Sequence, residues 1–353
     1  MGSCAAPFCD DEVMPIKKYR SRTITPLSAL VREIVYVMCG ARGETSNRLM
    51  RALPRMKFFG FEPDAEEYQR LSTASAKGFR YFRAAVGGRD ERRTLYVTRN
   101  PACSSLLQPN LALYGRFKDC APDLEVVEEK PIDVVTLDSF LPGAGVGAVD
   151  FLDLDTQGSE LEILEGAQSF LAKSVVALKC EVEFSPLYEG QPLFGDVDSY
   201  LRKFGFMLFD LSRSRYRRAN FPAYALTRGQ LLWGDALYLR DHAWFAARGD
   251  RMPLFKLALL AAHLGFHDYA LETIDLLLDG GAGQLSVHES ESLAKAREQY
   301  LRDLKSGAVW VGLLYGMEAM GLRRPVQLVG RLAGQLSDRL RRDRTMTEYN
   351  WVD

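Results

Sequence analysis

The sequence predicts an α/β fold, a mostly parallel sheet flanked by helices and followed by an all-helical C-terminal region. Three observations carry this prediction. Short apolar runs alternate with amphipathic segments from residue 34 to about 184, the pattern that builds parallel sheets. One run, within residues 151–167 (FLDLDTQGSELEILEGA), ends in two aspartates, turns at Gly158 and restarts with helical spacing. Beyond about Trp244 apolar residues recur only at intervals of three and four, which is helical periodicity.

Each element follows in order. Residues 1–25 mix Pro, Cys, charge and Ser/Thr without periodicity and read as a flexible arm. The core is expected over 26–243. Ile34–Cys39 (IVYVMC) is a continuous apolar strand closed by Gly40-Ala41-Arg42-Gly43, and 45–53 then has helical spacing before Pro54. Residues 58–61 form a second strand, ended by Glu62-Pro63-Asp64, and 65–75 a helix. A strand over 79–86 turns at Gly87-Gly88, and the period-two segment 94–98 adds a hairpin strand. Residues 99–131, broken by Pro101, Pro109, Gly115 and Pro122, read as an irregular insertion and candidate lid. Strands over 149–155 and 174–184 alternate with helices over 159–171 and 195–204. Residues 206–211 and 232–239 look like a closing antiparallel pair. The helical region, 244–353, has helices expected over 255–264, 269–278, 290–304 and 326–340, and offers a packing or homodimerisation surface.

Composition bounds the function. The 353 residues, 47% hydrophobic, bury a substantial core, and 45 Lys+Arg against 46 Asp+Glu leave a net charge of -1. That balance gives no footprint for nucleic acid or an anionic membrane. Six cysteines (4, 9, 39, 103, 120, 180) lack CxxC spacing and read as reduced thiols. With no apolar run of membrane-spanning length and no leader pattern, the expected location is cytoplasmic. The four histidines (242, 263, 267, 288) fall outside the core and make no zinc pattern.

The chemistry concentrates at strand ends. Gly40-Ala41-Arg42-Gly43 follows a strand and opens a helix, so backbone can approach a ligand there. Glu62 ends the next strand about 20 residues on, the offset at which a carboxylate accepts both ribose hydroxyls. A nucleoside ligand is implied. A dinucleotide needs a third glycine beside its pyrophosphate, where this chain has Glu44-Thr45-Ser46-Asn47; a sulfonium ligand carries no phosphate and suits an acidic site. Asp153 and Asp155, at i and i+2, share one strand face, and burying like charges there without function is costly. Glu160, Glu162 and Glu165 complement a helix N-terminus.

Together, Phe59-Gly60-Phe61-Glu62-Pro63-Asp64, Ala84-Ala85-Val86-Gly87, Cys103-Ser104-Ser105-Leu106-Leu107, Val135-Thr136-Leu137-Asp138, the 151–167 motif and EVEFSPLYEG at 181–190 resemble the FkbM family of S-adenosylmethionine-dependent methyltransferases, over roughly 34–240. The resemblance implies a class I methyltransferase (Rossmann-like) core and O-methylation of a sugar, glycolipid or polyketide-like acceptor. It implies that the loop Gly40, Ala41, Arg42 and Gly43 meets the methionine part of the cofactor, that Glu62 with Pro63 takes the ribose, and that Ala84, Ala85 and Val86 border the adenine. Asp153 would face the methyl group, and Asp155, Asp153 and Glu181 are the catalytic candidates. Ser104 and Ser105 would touch cofactor or acceptor. The chain departs from the family at two places: Met38 stands where an acidic residue is usual, and Asp153 where Lys is frequent.

Methyl transfer needs in-line positioning and a base for the acceptor proton, a role open to Asp155 or Glu181. A divalent cation held by Asp153 and Asp155 is a less favoured route. Two other functions stay open: a binding or scaffold protein that keeps the fold without turnover, and a nicotinamide-dependent oxidoreductase.

Overall fold

The computed structural model describes residues 25–42, 55–75, 78–118, 120–222 and 227–319. The strands, in chain order, are β1 (Ile34–Cys39), β2 (Met56–Phe61), β3 (Phe79–Phe82), β4 (Ala85–Val86), β5 (Glu91–Thr98), β6 (Val126–Val135), β7 (Phe151–Leu154), β8 (Ala177–Glu183), β9 (Phe206–Leu211), β10 (Ser214–Tyr216) and β11 (Gln230–Arg240). The main sheet has the order β3-β2-β1-β7-β8-β11, with β9 and β10 both pairing along the outer edge of β11. β3, β2, β1, β7 and β8 are parallel, and β11 runs antiparallel to β8, β9 and β10. This is the class I methyltransferase arrangement, a mostly parallel sheet with one reversed strand near an edge, and the antiparallel pair read from 206–211 and 232–239 is present. Strand order reverses between β1 and β7, so the crevice beyond their carboxyl ends is where a ligand belongs.

Alternation along each strand divides the core in two. Val35, Val37 and Cys39 of β1, Leu152 and Leu154 of β7, and Leu178, Cys180 and Val182 of β8 face one layer, shared with helices Leu137–Gly143, Glu160–Glu165, Gln168–Lys173 and Phe194–Arg202. Tyr36, Phe151, Ala177 and Leu239 face the other, where helix Arg251–Leu264 buries Leu254, Phe255, Leu257, Ala258, Leu259, Leu260 and Ala261. That helix is apolar nearly all round, as expected for one enclosed between a sheet and further helices. Helices His267–Leu278 and Val287–Ala319 pack outside it.

Four expectations need correction. The strand read over 79–86 is two: β3 joins the main sheet, whereas β4 pairs with β6 in a separate sheet of order β4-β6-β5. The strand read over 94–98 begins at Glu91 and pairs with β6, whose first six residues had been assigned to an irregular insertion. Charge and Pro131 disguise β6: its sequence VVEEKPIDVV is mostly exposed, so little apolar alternation is required of it. The helix read over 159–171 breaks at Gly166, where a Cβ would stand 2.4 Å from the Gly87 carbonyl oxygen. The last described helix runs 33 residues, well past the 290–304 expected. Gly43, the helices expected over 45–53 and 326–340, and the arm over 1–25 apart from Thr25 lie outside the described residues.

Two buried charges hold the layers at the sheet end away from the crevice. Asp150, 2% exposed, accepts from the Val35 amide at 2.8 Å and pairs with Lys256 Nζ at 2.8 Å, joining the helical region to the start of β1. Burial pushes the Asp150 carboxyl up even against that ammonium. Arg240, fully buried, donates to the carbonyls of Leu171, Val175 and Phe204 and stacks on Phe206 at 3.8 Å. Its guanidinium is pulled down to about 9 by burial, still charged at neutral pH, and serves as the cap of helix Gln168–Lys173.

Lys256→Met leaves Asp150 buried without its counter-charge and is expected to lower unfolding free energy by about 3–5 kcal/mol. Urea denaturation measures this; a loss under about 1 kcal/mol would remove the pair from the forces that seat the helices.

Candidate active site

The ends of β1 and β7 meet backbone to backbone. Asp155 N–H donates to the Cys39 carbonyl at 3.0 Å, and Gly40 adopts φ +81° with its Cα against the Asp155 carbonyl. A Cβ there would stand 1.8 Å from that oxygen, so only glycine fits. Beyond the contact, a cleft of about 860 Å³, partly open to solvent, is bounded by the strand ends. Gly40 and Arg42 form one wall, with Phe61 to Asp64 beside them; Ala84, Ala85 and Val86 lie next along. Leu95 and Val97 of β5 with 101–106 make the cover, and Asp155, Thr156, Gln157 and Ser159 the floor.

Of the cofactor-site residues expected from the sequence, Gly40, Arg42, Glu62, Pro63, Ala84, Ala85 and Val86 line this cleft, as do Ser104, Ser105 and Asp155. Ala41 is fully buried behind the wall, where its amide donates to the Phe61 carbonyl at 2.9 Å. Asp153 is elsewhere. It is 1% exposed on the face of β7 toward the C-terminal helices, where one oxygen accepts from the Tyr36 hydroxyl and the other lies 3.8 Å from Lys179 Nζ. Glu181, at the end of β8, is buried beside Asp155 and does not line the cleft.

Glu62 is 3% exposed, and its Oε1 accepts from the Asp64 amide at 2.9 Å. Burial raises its carboxyl, offset by that amide and by Arg42, 3.6 Å away. Arg42 also approaches Asp64 at 3.6 Å, so the cation in the wall is engaged by carboxylates. Glu62 Oε2 accepts nothing from the described residues, which leaves it to a ligand.

A cluster of acids occupies the sheet face beyond Asp155. Burial raises Asp155 first; the Lys179 ammonium draws it down, Asp235 pushes it up, and hydrogen bonds with Gln157 and Glu181 lower it again. Glu181 lies well above the usual carboxylate range, from burial and then from Asp155, and Glu183 likewise, from burial and then Glu160. Two neighbouring acids in such surroundings do not both ionise readily, and Glu181 is the one pushed further toward its protonated form. Lys179 is the counter-charge of the group, 3.1 Å from Asp235 Oδ1 and held protonated chiefly by Asp153.

The turn 155–159 is built by Glu160. Its carboxylate accepts from Thr156 N at 2.7 Å, Thr156 Oγ1 at 2.9 Å and Gly158 N at 2.9 Å, although burial pushes it up to about 7. Glu160 therefore supports the cleft floor rather than merely complementing a helix end; Glu162 pairs with Arg93 at 2.5 Å. The turn places Gln157 at φ +61°, a conformation costing a non-glycine residue about 1–3 kcal/mol. Gln157, Tyr188 and Lys179 are site residues that sequence reading missed. The one available signal was the apposition of charge at Asp153 and Lys179, which are register partners on β7 and β8. Among the described residues no His, Cys, Asp or Glu group of three or more could hold a metal ion, and cysteines 39, 103, 120 and 180 form no disulfide.

The chain is similar to several known proteins. Residues 39–208 match the model of the Methyltransferase FkbM domain. The chain is 26% identical over 165 residues to the 2-O-methyltransferase NoeI of Sinorhizobium fredii (strain NBRC 101917 / NGR234), an alignment covering 44% of this chain and 66% of that protein, just under two thirds. Solved structures with similarity include the precorrin-6y C5,15-methyltransferase of Geobacter metallireducens GS-15, 10% identical with a TM-score of 0.32, covering 65% of this chain and 92% of that one. The magnesium protoporphyrin IX methyltransferase of Synechocystis PCC 6803, solved with bound SAM, is 12% identical with a TM-score of 0.30, covering 64% and 79%. The segment 39–208, just under half of the chain, is thus similar to the FkbM methyltransferase domain.

Proposed function

We propose that this protein is an S-adenosylmethionine-dependent O-methyltransferase acting on a hydroxyl of a sugar, glycolipid or polyketide-like acceptor. The observation that carries the reading is a single cleft joining a side-chain-free turn at Gly40, a buried acceptor at Glu62 and a carboxylate at Asp155. The residues present fit S-adenosylmethionine: Glu62 Oε2 is open to the ribose, Ala84, Ala85 and Val86 offer an apolar border for adenine, and Gly40 allows the methionine portion close to the backbone. The matched 2-O-methyltransferase supports the oxygen acceptor.

When bound, S-adenosylmethionine supplies an activated methyl group for transfer. The chain's part is to orient the acceptor and remove its proton. Asp155 on the floor takes the hydroxyl proton as the acceptor oxygen advances. Glu181, protonated, cannot compete for it and keeps negative charge from accumulating beside Asp155. Lys179 stabilises Asp155 as the carboxylate before the proton arrives. The cover formed by β5 and 101–106 limits water at the reacting atoms.

Glu62→Gln removes a charged hydrogen-bond acceptor and should weaken S-adenosylmethionine by about 10- to 150-fold in calorimetry. Absence of wild-type binding to both S-adenosylmethionine and S-adenosylhomocysteine sinks the enzyme reading in favour of a scaffold, and binding of NAD in their place points to the oxidoreductase. Asp155→Asn should lower kcat by about 10²- to 10⁴-fold, followed as S-adenosylhomocysteine release with a panel of hydroxylated glycan and polyketide acceptors. Undiminished turnover would take Asp155 out of the chemistry. In the wild type, activity should fall as pH drops through an Asp155 pKa that burial places above the ordinary carboxylate range, because protonation removes the base.

A further inference from the structure

Position 157 poses a question that methyl transfer by Asp155 leaves unanswered. Gln157 and Gly158 are consecutive left-handed residues, at φ +61° and +108°. At 158 a Cβ would stand 2.9 Å from Gln191 Nε2, which accounts for glycine. At 157 glycine would adopt the same backbone without strain, yet the chain carries a glutamine.

Its side chain is used at every polar atom. Nε2 donates to Asp155 Oδ1 at 2.9 Å and to Glu181 Oε2 at 2.7 Å. Oε1 lies 2.9 Å from the Tyr188 hydroxyl, and that hydroxyl lies 3.0 Å from the Cys103 carbonyl. The Gln157 carbonyl accepts from Ser105 Oγ at 2.7 Å. The amide nitrogen faces the two carboxyls and its oxygen faces the Tyr188 phenol. Burial raises the Tyr188 phenol well above its ordinary value, so it remains a donor.

We propose that Gln157 is a positioning residue for methyl transfer: its carboxamide clamps Asp155 beside Glu181 and, through Tyr188, fixes both to the segment covering the cleft, to which Ser105 separately ties the Gln157 backbone carbonyl. The proposal rests on the methyltransferase reading given above. One amide proton on each carboxyl holds the two acids side by side without contributing charge of its own. The donor to Asp155 favours its ionised form, opposing burial and Asp235, in the same direction as Lys179. A base held this way needs little reorganisation when the acceptor arrives, which is where positioning lowers a barrier. The strained backbone at 157 is then explained by what the side chain can reach from there.

Three variants separate side chain from backbone. Gln157→Leu keeps bulk and loses the donors; Gln157→Glu keeps length and the acceptor but replaces the donors with charge; Gln157→Gly relaxes the backbone and loses the clamp. All three should lower kcat by about 10²-fold or more while S-adenosylhomocysteine binding stays within about threefold. In the Leu and Gly variants the acid limb of kcat/KM should move to higher pH, since Asp155 loses a hydrogen bond that favours its charge. The same clamp is read without turnover from carboxyl 13C NMR, with the Asp155 resonance assigned by Asp155→Asn: Asp155 should titrate at higher pH in Gln157→Leu than in wild type. A Gly variant with wild-type kcat and pH profile overturns the proposal, as does an unmoved Asp155 titration in the Leu variant. A moved titration in a protein that methylates no hydroxyl acceptor supports the clamp and counts against the O-methylation reading alone.

Discussion

The backbone contact between Gly40 and Asp155 is the constraint on which the rest depends. The parallel strands β1 and β7 stay close enough at their carboxyl ends that any side chain at 40 would overlap the Asp155 carbonyl. The contact sets where the cleft floor begins and brings the acidic turn 155–159 under the wall made by Arg42 and Glu62. Everything downstream is arranged around a floor that carries carboxyls. Glu160 gives up its acceptors to the turn, Lys179 supplies the compensating charge from the neighbouring strand, and Glu181 is pushed toward its protonated form. The site gathers many acids around one ammonium, and burial shifts each of Asp155, Glu160, Glu181 and Glu183 upward.

Much of this was legible in the sequence, for identifiable reasons. The parallel strands are buried on both faces, so runs such as IVYVMC and FLDL are apolar enough to be recognised, and glycine at 40 and 158 marks positive φ. Glu62 could be placed because its offset from the glycine turn is a property of strand and helix length. What could not be read falls into two kinds. β6 escaped because a half-exposed strand bearing Glu, Lys and Pro has no periodic signature. Gln157 and Lys179 escaped because, Asp155 apart, their partners are 24 or more residues away, and register, unlike periodicity, is not written in local sequence. Asp153 shows the limit of the face argument: i and i+2 alternation puts it on the Asp155 side, but the strand ends between them, and Asp153 is left among Tyr36 and Lys179 below the cleft.

The two faces of the sheet divide labour. One is covered by short helices from within the crossover connections, the other largely by helix Arg251–Leu264, which comes from beyond the last strand. Arg240 and the Asp150–Lys256 pair sit where these layers meet the sheet, both far in sequence from the residues they hold. The buried charges at that end are engaged by carbonyls and a counter-charge, whereas Glu62 and Asp155 at the other end line the cleft. Stability and chemistry thus occupy opposite ends of the same strands.

The position of β11 has a consequence of another kind. Family similarity stops at residue 208, inside β9, whereas β11 begins at Gln230 and is inserted between β8 and β9. A chain ended where the similarity ends would leave β8 as an open edge, with the apolar Tyr36 and Phe151 face stripped of its helices, a template for pairing with other copies. What is inherited as a recognisable block and what can fold are therefore different lengths of polypeptide. The polypeptide beyond residue 208 thus closes the sheet and, through Asp235 of β11, also reaches the Lys179 ammonium beside Asp155.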